Sequence, residues 1–145
     1  MRFHILDVDH GFCAYLAADN NHLILFDCGH STDPVFRPSG YLYDLGYRSV
    51  QRFFVTSFDQ DHIGDLPSLR RLLGIEILTC NSSITPEQLR RLKLRDGPIT
   101  AEMEKLLSMM GRYDSPPPFT RSFPRVSPGT RFARVTEETS TTPTT

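Results

Sequence analysis

The stretch VTSFDQDHIGDL, residues 55–66, places two carboxylates and an imidazole close together in the sequence, at Asp59, Asp61 and His62. Two neighbouring carboxylates repel each other, and a divalent cation beside them removes that repulsion. Oxygen ligands alone favour Mg²⁺, Mn²⁺ or Ca²⁺, whereas an added imidazole shifts the preference towards Mn²⁺, Fe²⁺ or Zn²⁺. We therefore take Asp59, Asp61 and His62 as candidate metal ligands, with Asp61 and His62 as the candidate catalytic residues.

The same three residues also fit an acidic turn that leads into a helix. Asp61 would then cap the helix, Asp59 would close the turn, and His62 would cover the helix end. An isolated D-x-D-H string does not decide between the two interpretations. The decision depends on which other polar residues the fold brings to the same place.

Strand-forming runs precede three turns in the first half of the chain. RFHILDVD is followed by Gly11, the predicted hairpin of CAYLA and HLILFD ends at Asp27, and RFFVT leads directly into the acidic stretch. HLILFD is apolar at successive positions, which is typical of a strand buried on both faces. Because alternate residues of a strand share a face, we expect Ser57, Asp59 and Asp61 to point towards one pocket.

The rest of the chain up to Tyr113 carries mainly helical patterns. Leucines recur at helical spacing before Gly74, and IEIL follows as a brief strand. Thr85 and Gln88 form a capping box with a proline in the first turn, which predicts another helix, and a last helix begins at Thr100. This order of strands and helices favours the α/β class.

A change in composition after Tyr113 divides the chain into two parts. Residues 1–113 carry the periodic patterns and form the predicted domain. Residues 114–145 are dense in Pro, Ser, Thr and Arg, and we interpret them as an extended or disordered tail. The change is also consistent with a truncation or an altered reading frame.

Composition limits the classes of protein to consider. The 145 residues have a net charge of -1 and a mean hydropathy of -0.30, with no apolar run of about twenty residues. We expect no membrane span, and an aspartate already at position 7 argues against a signal peptide, so a cytoplasmic location is predicted. Cys13, Cys28 and Cys80 form no C-x-x-C pair and are odd in number, so we expect neither a disulfide framework nor a structural zinc site. We interpret the three cysteines as buried thiols.

Taken in order, the motifs DVDHG, LILFDCG and VTSFDQDHIGDL resemble those of the metallo-β-lactamase fold, and most of all the hydrolase-like domains of the ComEC-like competence group. That group carries a DVGQGD-type turn, an ILIDxG-type turn and a THxHxDHxGG motif. The resemblance covers roughly the first half of the chain. The matching residues are Asp7 and Gly11 in the first motif, Asp27 and Gly29 in the second, and Thr56, Asp61, His62, Ile63 and Gly64 in the third.

The resemblance implies a partial metallo-β-lactamase-like fold, about half of the full αββα sandwich. It also implies a metal-dependent hydrolase that uses Zn²⁺ or Mn²⁺ and acts on phosphodiesters or another small-molecule substrate. Asp61 and His62 keep the positions of ligands to the second metal. Asp7 and Asp27 would orient the ligands from behind, and His10, which stands where the group has a glutamine, is a possible replacement ligand.

The sequence also departs from the family pattern. The two leading histidines of the third motif are Ser57 and Asp59 here, and no histidine follows His62, so the family's later ligands are not present. The alternative is therefore a non-catalytic or truncated domain of this fold, with at most a weak single metal site. A third hypothesis is a nucleic-acid module that uses the basic run Arg90 to Arg95, although the net negative charge of the chain argues against it.

Overall fold

The computed structural model describes residues 1–113, and within them it contains a five-stranded sheet, a two-stranded hairpin and five helices. The prediction of a tail over residues 114–145 lies outside the described residues. The mixed α/β class is confirmed. No helix within residues 1–113 has the length and apolar character needed to cross a membrane.

The strands of the main sheet are β1 Arg2–Ile5, β2 Ala14–Ala17, β3 Leu23–Phe26, β6 Ser49–Phe54 and β7 Gly74–Thr79. Their order in the sheet is β1-β2-β3-β6-β7. The first three strands pair antiparallel, as the predicted hairpin requires, whereas β3 pairs parallel with β6, and β6 pairs parallel with β7. The small hairpin pairs β4 Ser31–Thr32 with β5 Val35–Phe36.

The helices lie in the connections between the parallel strands and after the last strand. The first three are α1 Pro38–Asp44, α2 Gln60–Ile63 and α3 Leu66–Leu72, and the last two are α4 Pro86–Asp96 and α5 Ala101–Tyr113. The predicted capping box is present at the start of α4, where the side chain of Thr85 accepts from the backbone N–H of Gln88 and the Gln88 side chain accepts from the N–H of Thr85. Both reciprocal bonds satisfy donors that the first helical turn leaves open.

The two faces of the sheet differ in burial. One face carries Tyr15, Leu25 and Phe53, which are buried in a cluster with leucines of α1, α3 and α5. The register defines two rows of side chains on the other face, since residues two apart on a strand point the same way. These rows are Phe3, Leu16, Ile24, Arg52 and Ile77, and Ile5, Ala14, Phe26, Phe54 and Thr79. Phe3, Ile5 and Ile77 on this face are exposed.

Parallel pairing of β3 with β6 brings the segments after both strands to the same edge of the sheet. Asp27 follows β3 directly, and Thr56 lies two residues beyond β6. This edge is where the fold positions the candidate site, as is general for open sheets with parallel strands.

The structure differs from the predicted elements at two places. β6 ends at Phe54 and not at Thr56, so the expectation that strand alternation would align Ser57, Asp59 and Asp61 is wrong. Asp61 lies in α2 instead, and Asp59 immediately precedes that helix. The hairpin of β4 and β5, between β3 and α1, is not among the strand-forming runs identified in the sequence.

Candidate metal centre

The carboxylate of Asp27 connects the ends of β3 and β6. Asp27 is fully buried, and its backbone has a positive φ of 55°. Its backbone N–H donates to the carbonyl of Phe54 at 2.8 Å. In return, its Oδ1 accepts from the backbone N–H of Thr56 at 2.7 Å and its Oδ2 accepts from the hydroxyl of Thr56. These bonds fix the carboxylate in one orientation.

The same carboxylate holds the ring of His62. Nδ1 of His62 lies 2.8 Å from Oδ2 of Asp27. An ionised carboxylate only accepts hydrogen bonds, so in a neutral His62 ring paired with it the proton lies on Nδ1. The neutral ring then presents the lone pair of Nε2, which is the form of histidine that binds metals. The side chain of His62 is 23% exposed, so Nε2 is accessible from outside the core.

Asp61 supplies the second group next to this nitrogen. Its Oδ2 lies 4.0 Å from Nε2 of His62, and its side chain is 45% exposed. Two ligand atoms on a tetrahedral cation lie about 3.4 Å apart when each bond is about 2.1 Å long. A small rotation of the exposed Asp61 carboxylate would reach that separation, so this pair fits two positions of a metal coordination shell.

Two glycines allow the preceding turns to close against Asp61. A Cβ atom on Gly11 or on Gly29 would lie closer than 3.0 Å to the backbone carbonyl oxygen of Asp61. Gly11 also has a φ of 95°, a backbone conformation that residues other than glycine rarely adopt. The turns after β1 and after β3 therefore both meet α2 at Asp61.

Asp59 is directed to a different partner. Its Oδ1 accepts from the Lys93 ammonium at 2.8 Å and its Oδ2 accepts from the Ser57 hydroxyl at 3.0 Å. These hydrogen bonds lower the pKa of the Asp59 carboxyl below its ordinary value, and the one from Lys93 has the largest effect. Lys93 therefore already neutralises this carboxylate, and within residues 1–113 Asp59 does not join Asp61 and His62 in a group of three close enough to hold a metal ion.

Asp7 and His10 lie in the turn that contains Gly11, and both side chains are exposed. Asp7 accepts from the backbone N–H of Asp9 at 3.3 Å, which closes the turn locally. Within residues 1–113 neither side chain forms a hydrogen bond or an ion pair with Asp61 or His62. The turn itself reaches the site through Gly11, and the roles expected for Asp7 as an orienting residue and for His10 as a replacement ligand stay predictions.

Among residues 1–113 no three His, Cys, Asp or Glu side chains are grouped closely enough to hold a metal ion. The candidate centre therefore consists of two ligands, Asp61 and His62, with Asp27 behind the histidine. The assignment of a metal to these residues stays a prediction.

A buried carboxylate beside the centre was not among the predicted site residues. Asp65 is fully buried, accepts from the backbone N–H of Ser39 at 2.7 Å and from the Arg37 guanidinium at 3.2 Å. Its own N–H donates to the carbonyl of Cys28 at 2.8 Å. Asp65 thus ties α1 and the start of α3 to the turn after Asp27. The only signal in the sequence was its place before a helix, which is common to many capping residues.

No family model matches the chain, and neither a curated protein nor a solved structure does.

Proposed function

We propose that the chain is a metal-dependent hydrolase of the metallo-β-lactamase superfamily that acts on phosphodiesters. The observation that carries this proposal is the hydrogen bond from Nδ1 of His62 to the buried Asp27 carboxylate. A carboxylate behind a histidine selects the tautomer and the orientation that a metal ligand needs. The sheet of five strands with helices against its buried face is consistent with half of an αββα sandwich.

The residues of the centre would each have a distinct part in this function. Nε2 of His62 and a carboxylate oxygen of Asp61 would hold the ion, which we expect to be Zn²⁺ or Mn²⁺. A bound divalent cation would supply Lewis-acid polarisation of a phosphoryl oxygen and a lower pKa for a bound water. Asp27 keeps the His62 proton on Nδ1, and Thr56 keeps Asp27 in place.

A second candidate function is a non-catalytic domain of the same fold with at most one weakly held ion. Two observations favour it. The Lys93 ammonium lies 2.8 Å from Asp59, where a third ligand was predicted. Within residues 1–113, moreover, no set of three metal-binding side chains is assembled. A site with two protein ligands leaves more of the coordination shell to water, and we expect its affinity to be low.

Hydrolysis of bis(p-nitrophenyl) phosphate by the full chain separates the two candidates. The hydrolase proposal expects turnover that needs added Mn²⁺ or Zn²⁺ and that is lost in His62→Ala and Asp61→Ala. His22→Ala and Asp44→Ala are matched controls because both side chains are exposed outside the centre, and both should keep full activity. Elemental analysis of the same samples gives the metal content. A folded, metal-loaded protein without turnover would reject the hydrolase proposal and support the second candidate.

A further inference from the structure

The four basic residues of α4 fall into two pairs with different surroundings. Arg90 forms a bidentate ion pair with Glu104 of α5, in which Nη2 of Arg90 lies 2.7 Å from Oε2 of Glu104. Lys93 is bonded to Asp59. Half of the basic run is therefore neutralised by contacts that hold α4 against the rest of the domain, and the remaining two residues are Arg91 and Arg95.

Arg91 and Arg95 lie one helical turn apart and therefore on one face of α4. Within residues 1–113 neither guanidinium forms an ion pair with a carboxylate; Arg91 makes one long hydrogen bond, 3.4 Å, to the backbone carbonyl of Glu87. Both residues line a groove of about 630 Å³ whose polar rim also includes Gln88, Asn81 and Ser83. The two arginines therefore give the groove a positive charge, which the nearby Glu87 carboxylate offsets in part at Arg91 without forming an ion pair.

The groove also has an apolar part, which is formed by Phe58, Ile84 and Leu92. Phe58 is half-buried against the core, whereas Leu92 is 47% exposed. An apolar part next to hydrogen-bonding groups and two cations suits a ligand that has a flat, weakly polar body and an anionic group.

The groove continues towards the candidate centre. A neighbouring cavity of about 400 Å³ shares Phe58 and Leu92 with it and is also lined by Thr56, Ser57 and Asp59. Thr56 is the residue whose hydroxyl donates to Asp27. A ligand seated over Phe58 would therefore extend along the loop that follows β6.

We propose that this groove binds a nucleotide, with its phosphate held by Arg91 and Arg95 and its base packed on Phe58 and Leu92. The groove is wide open to solvent, its volume of about 630 Å³ lies in the range of small-molecule sites, and two guanidinium groups outside any ion pair of the described residues match one phosphate group. A long polyanion would need a wider positive surface, which the paired Arg90 and Lys93 do not offer. The proposal does not depend on a metal ion at Asp61 and His62.

Isothermal titration of the full chain with AMP, in the presence of EDTA, tests this site without the candidate metal. AMP should bind, and the double variant Arg91→Gln/Arg95→Gln should weaken it by about tenfold or more, since charge-assisted hydrogen bonds are lost. Both arginines are exposed, so the double variant should fold normally. Arg71→Gln, which removes an exposed arginine from α3, is the matched control and should bind as the wild type does.

The two halves of the site have separate tests. Adenosine and inorganic phosphate should each bind at least about tenfold more weakly than AMP, because each lacks one of the two contacts. Phe58→Leu keeps an apolar side chain in the core and should weaken AMP but leave phosphate unchanged. Unchanged AMP binding in the double variant, an equal loss in Arg71→Gln, or no AMP binding by the folded wild type would each overturn the proposal. None of these results would depend on hydrolase activity.

Discussion

Nδ1 of His62 lies 2.8 Å from Oδ2 of Asp27, although the two residues are 35 positions apart in the sequence. The parallel pairing of β3 with β6 makes this contact, since both strands end at the same edge. The buried carboxylate accepts three hydrogen bonds, two from Thr56 and one from His62. It is therefore a structural link as well as the group that orients the candidate ligand.

Asp27→Asn should destabilise the protein because the amide nitrogen would replace one of the two carboxylate oxygens. At least one of the donor groups of Thr56 and His62 would then lose its acceptor. The expected decrease in the free energy of unfolding is about 1–3 kcal/mol, the usual effect of an unsatisfied buried hydrogen-bonding group. Urea denaturation followed by circular dichroism measures it. Asp19→Asn changes a side chain that is 93% exposed and should shift the value by less than about 0.5 kcal/mol. Equal stability of the two variants would contradict the role of Asp27.

Gly29→Ala tests the close approach of the turn after β3 to α2. The added methyl group would lie closer than 3.0 Å to the backbone oxygen of Asp61, and backbone atoms cannot move aside as a flexible side chain would. We expect a loss of at least about 2 kcal/mol in the free energy of unfolding. A Cβ on Gly40 would meet no atom within 4 Å, so Gly40→Ala in α1 should be neutral or stabilising by up to about 1 kcal/mol. A similar effect of both substitutions would show that the turn does not pack in this way.

The ion pair between Arg90 and Glu104 should make stability depend on pH in the acid range. The hydrogen bond from Arg90 lowers the pKa of Glu104 below its ordinary value of 4.5. A lowered carboxyl pKa contributes stability above the unfolded value, and this contribution disappears as the pH falls through the folded value. Glu104→Gln should therefore lower the urea midpoint at pH 7, and its difference from the wild type should shrink steadily as the pH falls below 4.5. Lys105→Gln is the adjacent control, and a midpoint difference in Glu104→Gln that stays constant with pH would contradict the assignment.

The three cysteines should differ in reactivity. Cys13 and Cys28 are fully buried, and burial raises the pKa of both thiols, so the reactive thiolate is scarce as well as shielded. Cys80 is partly exposed. Titration of the folded protein with dithionitrobenzoate at pH 8 should label one thiol rapidly, and all three after denaturation. Cys80→Ser should leave no fast-reacting thiol, and rapid labelling in that variant would show that the core around Cys13 or Cys28 opens readily.

The sequence predicted those features that depend on local patterns. Apolar runs located the strands of the main sheet, and the capping box located α4. These predictions succeeded because strands and helix starts depend on residues that are close together in the sequence. The class of the fold followed from the order of the elements.

The remaining features depend on contacts between distant parts of the chain. The partner of Asp59 is Lys93, 34 residues later, and no spacing rule connects them. The expected alignment of Asp59 with Asp61 failed because β6 ends at Phe54 and the helical geometry of α2 replaces strand alternation. Asp65 was missed because an acidic residue before a helix has the same appearance whether it is buried or exposed.

Titration of the metal-free full chain with Zn²⁺ by calorimetry tests the central claim most directly. We predict one Zn²⁺ site in the wild type and loss of that site in His62→Ala and Asp61→Ala. Asp27→Asn should lower the affinity for Zn²⁺ by about 10–100-fold, because Asp27 orients the His62 ring. His22→Ala should bind as the wild type does. Zn²⁺ binding by His62→Ala with the affinity of the wild type would contradict the account.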